Sequence, residues 1–341
     1  MTRLAAHVLL EREWAEFNGL HPDNVVVCSS GTAALHLALE ALGLDHGASP
    51  YLGGHGLGHE VIVPDYTMVA CPRAVSLAGM VPVFVDCDNR LLLDLDPAMC
   101  KEAKCTASVA VMPVHVYGRR VNVGDVLDMA EARGLAVVED LAEAHGVRPH
   151  PDSDAACWSF YKNKIVAGEE GGAVWFRNRN HARKARQLRT LGFTEAHDYR
   201  HVPRGHNYRL ADCLAELVLR SIKDYPHNYR ARREAETEYD ALCPSGWRMP
   251  PRDAPWVYDL CVKGMTDGRR YEVVSGLNRM GVAARHGFVR MSEQEEYRKC
   301  RVVRGTRPDV TGEVIYLPLT LRLDRAGYAA IFDYIRKVVG A

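Results

Sequence analysis

The stretch VVVCSSGTAALHLALEAL, residues 25–42, changes period in its middle. Residues 25–28 are a continuous β-branched apolar run, and residues 31–42 are rich in Ala and Leu at helical spacing. A continuous rather than alternating apolar run predicts a strand buried on both faces. Between the two lies Ser29-Ser30-Gly31-Thr32, where small residues open the helix. The same alternation repeats outward. VIVP (61–64) precedes TMVACPRAVSLAG, VPVFVD (81–86) follows it, VAVMPV (109–114) leads to VGDVLDMAEARG, and AVVED (136–140) comes next. Strands alternating with helices in this way predict a parallel sheet covered by helices. Ligands of such sheets sit at the carboxyl ends of the strands. The residues after each strand are therefore the ones to read for chemistry.

From about residue 225 the pattern changes. Pro226 is read as following a helix, and the arginine-rich NYRARREAETEYDALC as a helix leading away. WVYDLCVKG (256–264) and VIYLPL (314–319) read as strands, with helices at 269–280 and 324–339. At ~150 residues per domain, a chain of 341 residues suggests two. The expectation is a large α/β domain, residues 1–225, and a smaller α+β C-terminal domain, residues 226–341.

Composition narrows the class. Lys+Arg and Asp+Glu are both 43, so the formal net charge is zero, which excludes a wholly basic nucleic-acid coat. No apolar run reaches the ~18 residues of a membrane span. The apolar stretch of the N-terminus is broken by Glu11, Arg12 and Glu13, unlike a signal peptide. None of the ten cysteines forms a CxxC pair, so no zinc set is expected, and scattered free thiols fit the cytoplasm. The Gly/His-rich stretch 45–60 reads as a loop. Its His46, His55 and His59 lack the Cys or carboxylate set of a metal site, and its glycines do not form GxGxxG.

Three places carry chemistry. Ser30, Gly31 and Thr32 either cap the helix or use its free N–H groups to hold an anion. Asp140 ends a buried strand, where a carboxylate needs a partner. That partner is a helix N-terminus, an arginine, or a protonated heteroaromatic nitrogen. Lys164, with Lys162 as its competitor, lies in an apolar, Gly-flanked context that would make its amine nucleophilic. A phosphate cradle, a buried acid and an amine on one sheet edge together suit pyridoxal phosphate (PLP).

The ordered segments resemble the DegT/StrS-type aminotransferases, the nucleotide-sugar branch of fold-type I PLP enzymes. The segments are SSGTAALHLALEALG, HEVIVPDYTMVACPRAV, GMVPVFVDCD, VMPVHVYGRRVNVGDVLDMAEARGLAVVEDLAEAHG, WSFYKNKIVAGEEGGAV, LRTLGF, GHNYRLADCLAELVL, LNRMGVAARHGF and IYLPL, within residues 8–335. The resemblance implies that Gly31, Thr32 and Ser159 bind the cofactor phosphate. Asp140 would pair with the pyridine nitrogen, Glu143 lie near the phenolic oxygen, and Lys164 form the Schiff base. Asn207 would reach the phosphate of a second subunit, making a homodimer with shared sites. Met68 stands where the family has an aromatic stacked on the ring, and Glu169 replaces the first Gly of the usual GEGG. Family members also carry a segment ahead of the helix that EREWAEFNGL represents here.

The resulting expectation is a PLP-dependent aminotransferase. It would move an amino group, by family habit from glutamate, to a keto group on a nucleotide-linked sugar. Two alternatives stand beside it. One is a PLP-dependent decarboxylase or other Cα-bond lyase acting on a larger polyanion, such as an amino-acid-modified base in DNA. The other is a PLP-binding regulator without turnover. Residues 177–233 bear on the choice, because fourteen Lys/Arg there face five acids. Such a stretch is either a solvated face or a groove for a polyanion.

Overall fold

A computed structural model describes residues 5–44, 58–94, 107–194, 199–305 and 310–340. Most of the 45–60 loop therefore lies outside the described residues, as do Cys100 and Cys105.

The large sheet is assembled from β1 (Val25–Cys28), β2 (Glu60–Pro64), β3 (Val81–Val85), β4 (Ser108–Val111), β5 (Ala136–Asp140), β6 (Ala155–Ser159), β7 (Gly172–Phe176) and β10 (Val302–Val303). Its order is β1-β7-β6-β5-β4-β2-β3-β10. The pairs from β6 through β10 are parallel, and β7 runs antiparallel to both β6 and β1. Two reversals restore direction, so β1 points the same way as β5 and β6. Their carboxyl ends, with Ser29, Asp140 and Ser159, share one edge.

Both faces of this sheet are buried, as the continuous apolar runs require. Along β1, Val26 and Cys28 join the core under helix α2 (Gly31–Leu42). Val25 and Val27 join the opposite core, with Leu10 and Trp14 of helix α1 (Ala6–Asn18) and Trp158 of β6. A fully buried aliphatic side chain contributes about 1.5–3 kcal/mol. A one-residue slip of β1 would exchange these two sets between cores of different shape. Nearly every side of α2 is covered, which explains its Ala/Leu composition, and Gly43 ends it in the left-handed region at φ 76°.

Helices α3 (Ala70–Leu77), α4 (Val123–Glu131) and α5 (Arg179–Arg189) complete the layers over the sheet. The smaller unit is a three-stranded antiparallel sheet, β8 (Val257–Cys261), β11 (Val314–Pro318) and β9 (Arg285–His286), in the order β8-β11-β9. Helices α7 (Asp267–Arg279) and α8 (Arg325–Val339) pack with it around a third core.

One expectation is corrected. No helix ends at Pro226. Helix α6 runs unbroken from Asp212 to Leu242 with Pro226 inside it. An interior proline costs about 3 kcal/mol, but α6 is anchored on either side. Ala215 and Val218 pack in the core beneath α1, while Ala235 and Tyr239 pack in the core of the smaller unit. The 225/226 division thus falls within a continuous helix. The strand β10, from the C-terminal part of the chain, also adds to the edge of the large sheet at β3.

Candidate active site

Gly31, Thr32, Met68, Asp140, Glu143, Ser159 and Lys164 all line one cavity of about 360 Å³ at the carboxyl edge of the large sheet. Asn207 does not line it. Its side chain is exposed, and its Oδ1 accepts hydrogen bonds from the Arg209 guanidinium at 3.0 and 3.1 Å.

The anion end is built by α2 and β6. The hydroxyl of Ser30 caps α2, accepting from the Ala33 N–H at 3.1 Å. The first-turn N–H groups of a helix have no intrahelical acceptor, and its dipole adds positive potential. Gly31 sits directly on Ser159, where a Cβ at residue 31 would lie 2.8 Å from the Ser159 Cβ. Gly31 thus lets the start of α2 pack closely on β6, and Gly31, Thr32 and Ser159 line the cavity beside the helix N–H groups, a donor set that a phosphate fits.

Asp140 ends β5 and is buried. Its Oδ1 accepts the Ala142 N–H at 2.9 Å, and its Oδ2 accepts from the Cys71 thiol at 3.0 Å. Cys71 is held in that role by its own chemistry, since burial first and the Asp140 charge second push its thiol well above the ordinary range. It is an S–H donor rather than a thiolate. A pyridine nitrogen that carries a proton fits this buried, hydrogen-bonded carboxylate.

Lys164 follows β6 in a turn whose N–H bonds to the Tyr161 carbonyl at 2.9 Å. Its Nζ lies 3.9 Å from Glu143 Oε1 and 3.9 Å from the centroid of the Trp256 ring. Burial lowers the pKa of this lysine, and the charges of Glu143 and Asp140 oppose the shift. Burial likewise raises Glu143 to about 7, with the Lys164 charge and the Tyr117 N–H pulling it down. That N–H donates to Glu143 Oε2 at 2.8 Å and holds the backbone of Tyr117 at φ 54°. Lys162, the competing lysine, is exposed and does not line the cavity.

Trp256, Phe288 and Tyr316 from the C-terminal part of the chain close the other wall. Trp256 Nε1 donates to the Asn163 carbonyl at 3.0 Å, which fixes the ring over Lys164. Sequence reading placed Trp256 only at the start of a strand and did not single out Cys71, Phe288 or Tyr316. Met68, at the usual aromatic position, is 47% exposed, and its Sδ accepts the Ala70 N–H at 3.0 Å.

Residues 5–336 match the profile of the DegT/DnrJ/EryC1/StrS aminotransferase family. The GDP-perosamine synthase of Caulobacter vibrioides is 31% identical over 294 residues, covering 82% of this chain and 76% of that protein. The dTDP-3-amino-3,4,6-trideoxy-alpha-D-glucose transaminase of Micromonospora megalomicea is 34% identical over 236 residues, covering 67% of this chain and 59% of that one. Among solved structures, DesV of S. venezuelae superposes with a TM-score of 0.82 at 26% identity, covering 98% of this chain and 89% of that one.

Proposed function

The chain belongs to the DegT/DnrJ/EryC1/StrS aminotransferase family and is a PLP-dependent transferase of fold-type I; on that premise we propose that it aminates a keto group on a nucleotide-linked sugar. The observation that carries this reading is the single cavity in which a buried lysine, a buried hydrogen-bonded aspartate and a helix-capped anion cradle meet. The relatives named above act on nucleotide-linked sugars by their names. Glutamate, the family's habitual donor, is proposed as the donor here.

When bound, PLP supplies an aldehyde that exchanges amines and a ring that draws electrons from the donor Cα. Thr32, Ser159 and the N–H groups opening α2 hold its phosphate. Asp140 holds a proton on the ring nitrogen. Lys164 would hold the cofactor through its amine and, with that amine free, would take a proton from the donor Cα. Burial favours its neutral form, which is the form that accepts a proton. Glu143 keeps the Lys164 amine within 3.9 Å and acts at the phenolic edge. Trp256 walls that amine from water on the acceptor side. Asn207 contributes to the partner subunit's phosphate site in a homodimer. The eight free cysteines among the described residues support a cytoplasmic location.

The basic stretch favours a small substrate over a nucleic acid. Arg186 donates to Glu11 and to the Asp23 and Val25 carbonyls, and Arg189 to Glu11 and the Val27 carbonyl. Lys184 donates to the Glu40 carbonyl. These charges brace α5 against α1, β1 and α2 instead of lining a groove. The test is mass spectrometry of holoenzyme mixed with glutamate and keto-sugar nucleotides, with carbon dioxide monitored in parallel. Amine transfer to the sugar is expected. Carbon dioxide without amination would replace this reading with the lyase alternative.

A further inference from the structure

From the middle of α2 toward its C-terminal end lies a second group of side chains that the proposed reaction does not use. His36 and Glu40 are four residues apart and so share one face of the helix. Both are buried, at 2% and 5% exposure. His206 reaches them from the segment between α5 and α6, and its side chain is 24% exposed. Nε2 of His206 lies 2.6 Å from Glu40 Oε2, and Nε2 of His36 lies 3.6 Å from Glu40 Oε1. One ligand atom from each residue falls within 4.8 Å of the other two.

We propose that His36, Glu40 and His206 bind a divalent transition-metal ion of zinc's class. The buried Nε2 of His36 has no partner at hydrogen-bond distance, although the Leu77 backbone also acts on the ring. Leaving such an atom unpaired is costly unless something coordinates it. Its other nitrogen, Nδ1, lies 3.1 Å from the Tyr208 hydroxyl. Metal-bound histidines are typically oriented in this way, through the ring nitrogen that does not touch the metal. Zinc bonds of about 2.0–2.2 Å put tetrahedral ligands about 3.3–3.5 Å apart. The histidine nitrogens stand 2.6 Å from one Glu40 oxygen and 3.6 Å from the other, and the three ligand atoms lie within 4.8 Å of one another, so small side-chain shifts bring them to that spacing. Two imidazoles and one carboxylate form a zinc-type donor set with a fourth position left for water. Lys184 is a neighbouring cation, but its ammonium is bonded to the Glu40 carbonyl at 2.8 Å.

At 1.5 Å per residue, His36 and Glu40 are about 7 and 13 Å along the helix from Gly31. None of the three ligands lines the cofactor cavity, so the ion is a clamp beside it. It ties α2 to the segment that carries Asn207, whose neighbour Tyr208 accepts the Ser29 N–H at 2.8 Å.

The test uses holoenzyme stripped with a chelator, then titrated with zinc and cobalt salts. One zinc per chain should survive gel filtration, and cobalt should give the visible bands of a low-coordinate site. His36→Asn, Glu40→Gln and His206→Asn should each weaken binding by more than the roughly 10–100-fold that losing a supporting partner costs, and Tyr208→Phe by about 10-fold. Circular dichroism checks that each variant folds. If His36→Asn does not fold, His206→Asn and Tyr208→Phe decide, since both leave the buried pair on α2 intact. Every cysteine and every other histidine is unchanged in these variants. Equal zinc affinity of the parent and the His36→Asn/His206→Asn variant, or no zinc retained by the parent, overturns the proposal.

Discussion

The thiol of Cys71 donates to Oδ2 of Asp140 at 3.0 Å, from the first turn of α3 to the end of β5. Together with the Ala142 N–H on Oδ1, it fixes the plane of the carboxylate. Cys71→Ser keeps a donor there, and Cys71→Ala does not. The alanine variant should keep its cofactor but turn over about 5–10-fold more slowly, close to the 1.4 kcal/mol of one tenfold step. The serine variant should remain near the parent. Steady-state kcat of both decides, and equal rates for Ala and parent would leave this contact without a catalytic consequence.

Asp140 itself should matter more. Asp140→Asn retains hydrogen-bonding shape but cannot hold a proton on a ring nitrogen. Cofactor binding, followed by absorbance after gel filtration, should persist through the phosphate cradle. Turnover should fall by about 10²–10³, the range seen when one preorganised electrostatic contact is lost. Near-parental kcat would remove Asp140 from the role proposed for it.

The Lys164–Glu143 pair makes a signed prediction about pH. Covalent attachment of PLP needs the neutral amine of Lys164. Burial lowers the pKa of this lysine, and the Glu143 charge 3.9 Å away raises it again. Glu143→Gln removes the raising charge, so the free amine persists to lower pH. The acid-side midpoint for covalent attachment, followed by borohydride trapping and peptide mapping, should move down. A midpoint that moves up contradicts the pairing. A label found on Lys162 contradicts the assignment of Lys164.

These residues differ in how far the sequence exposed them. Gly31, Thr32 and Asp140 were legible because each ends a strand or opens a helix whose period is plain, and ligands collect at that edge, whereas Ser159 came only from the family resemblance. Cys71, Trp256, Phe288 and Tyr316 come from segments with no local mark of chemistry, and only the packing of the smaller sheet on the larger brings the aromatics to Lys164. Pro226 was misread because a local breaker signal was weighed without the two cores that hold α6 on either side of it. The group of His36, Glu40 and His206 was invisible for the same kind of reason. Its ligands lie on α2 and on a segment 166 positions from Glu40, whereas spacing rules find only near neighbours.

Glu169 offers a test of backbone strain. It stands where the family has glycine, and its φ is 66°, in the left-handed region. Its carbonyl accepts the Lys162 N–H at 3.1 Å, so the turn keeps a glycine-like shape without the glycine. A side chain there costs about 1–2 kcal/mol, and glycine returns about 0.5–1 kcal/mol of that in unfolded-chain entropy. Glu169→Gly should therefore stabilise the protein by roughly 0.5–1 kcal/mol in denaturant titration. A destabilised variant would mean that the Glu169 side chain makes a contribution larger than the strain.

Asn207 and Lys164 lie on opposite sides of the question of subunit sharing. Lys164 lines the cavity of its own chain, and Asn207 is exposed and bonded to Arg209. An exposed amide on a segment held by Ser29 and Leu188 through main-chain hydrogen bonds is rigid enough to serve a neighbour. If each site takes Lys164 from one subunit and Asn207 from the other, Lys164→Ala and Asn207→Ala homodimers each carry two defective sites. A mixed dimer then gathers both defects into one site and leaves the second intact. Mixing the two variants after mild dissociation should thus restore activity, up to one site in two of each mixed dimer. Asn207→Ala alone should weaken PLP retention more than it slows chemistry, because a phosphate contact acts on binding. If mixtures show only the average of the two variants while mass spectrometry confirms subunit exchange, each chain completes its own site and Asn207 is a surface residue.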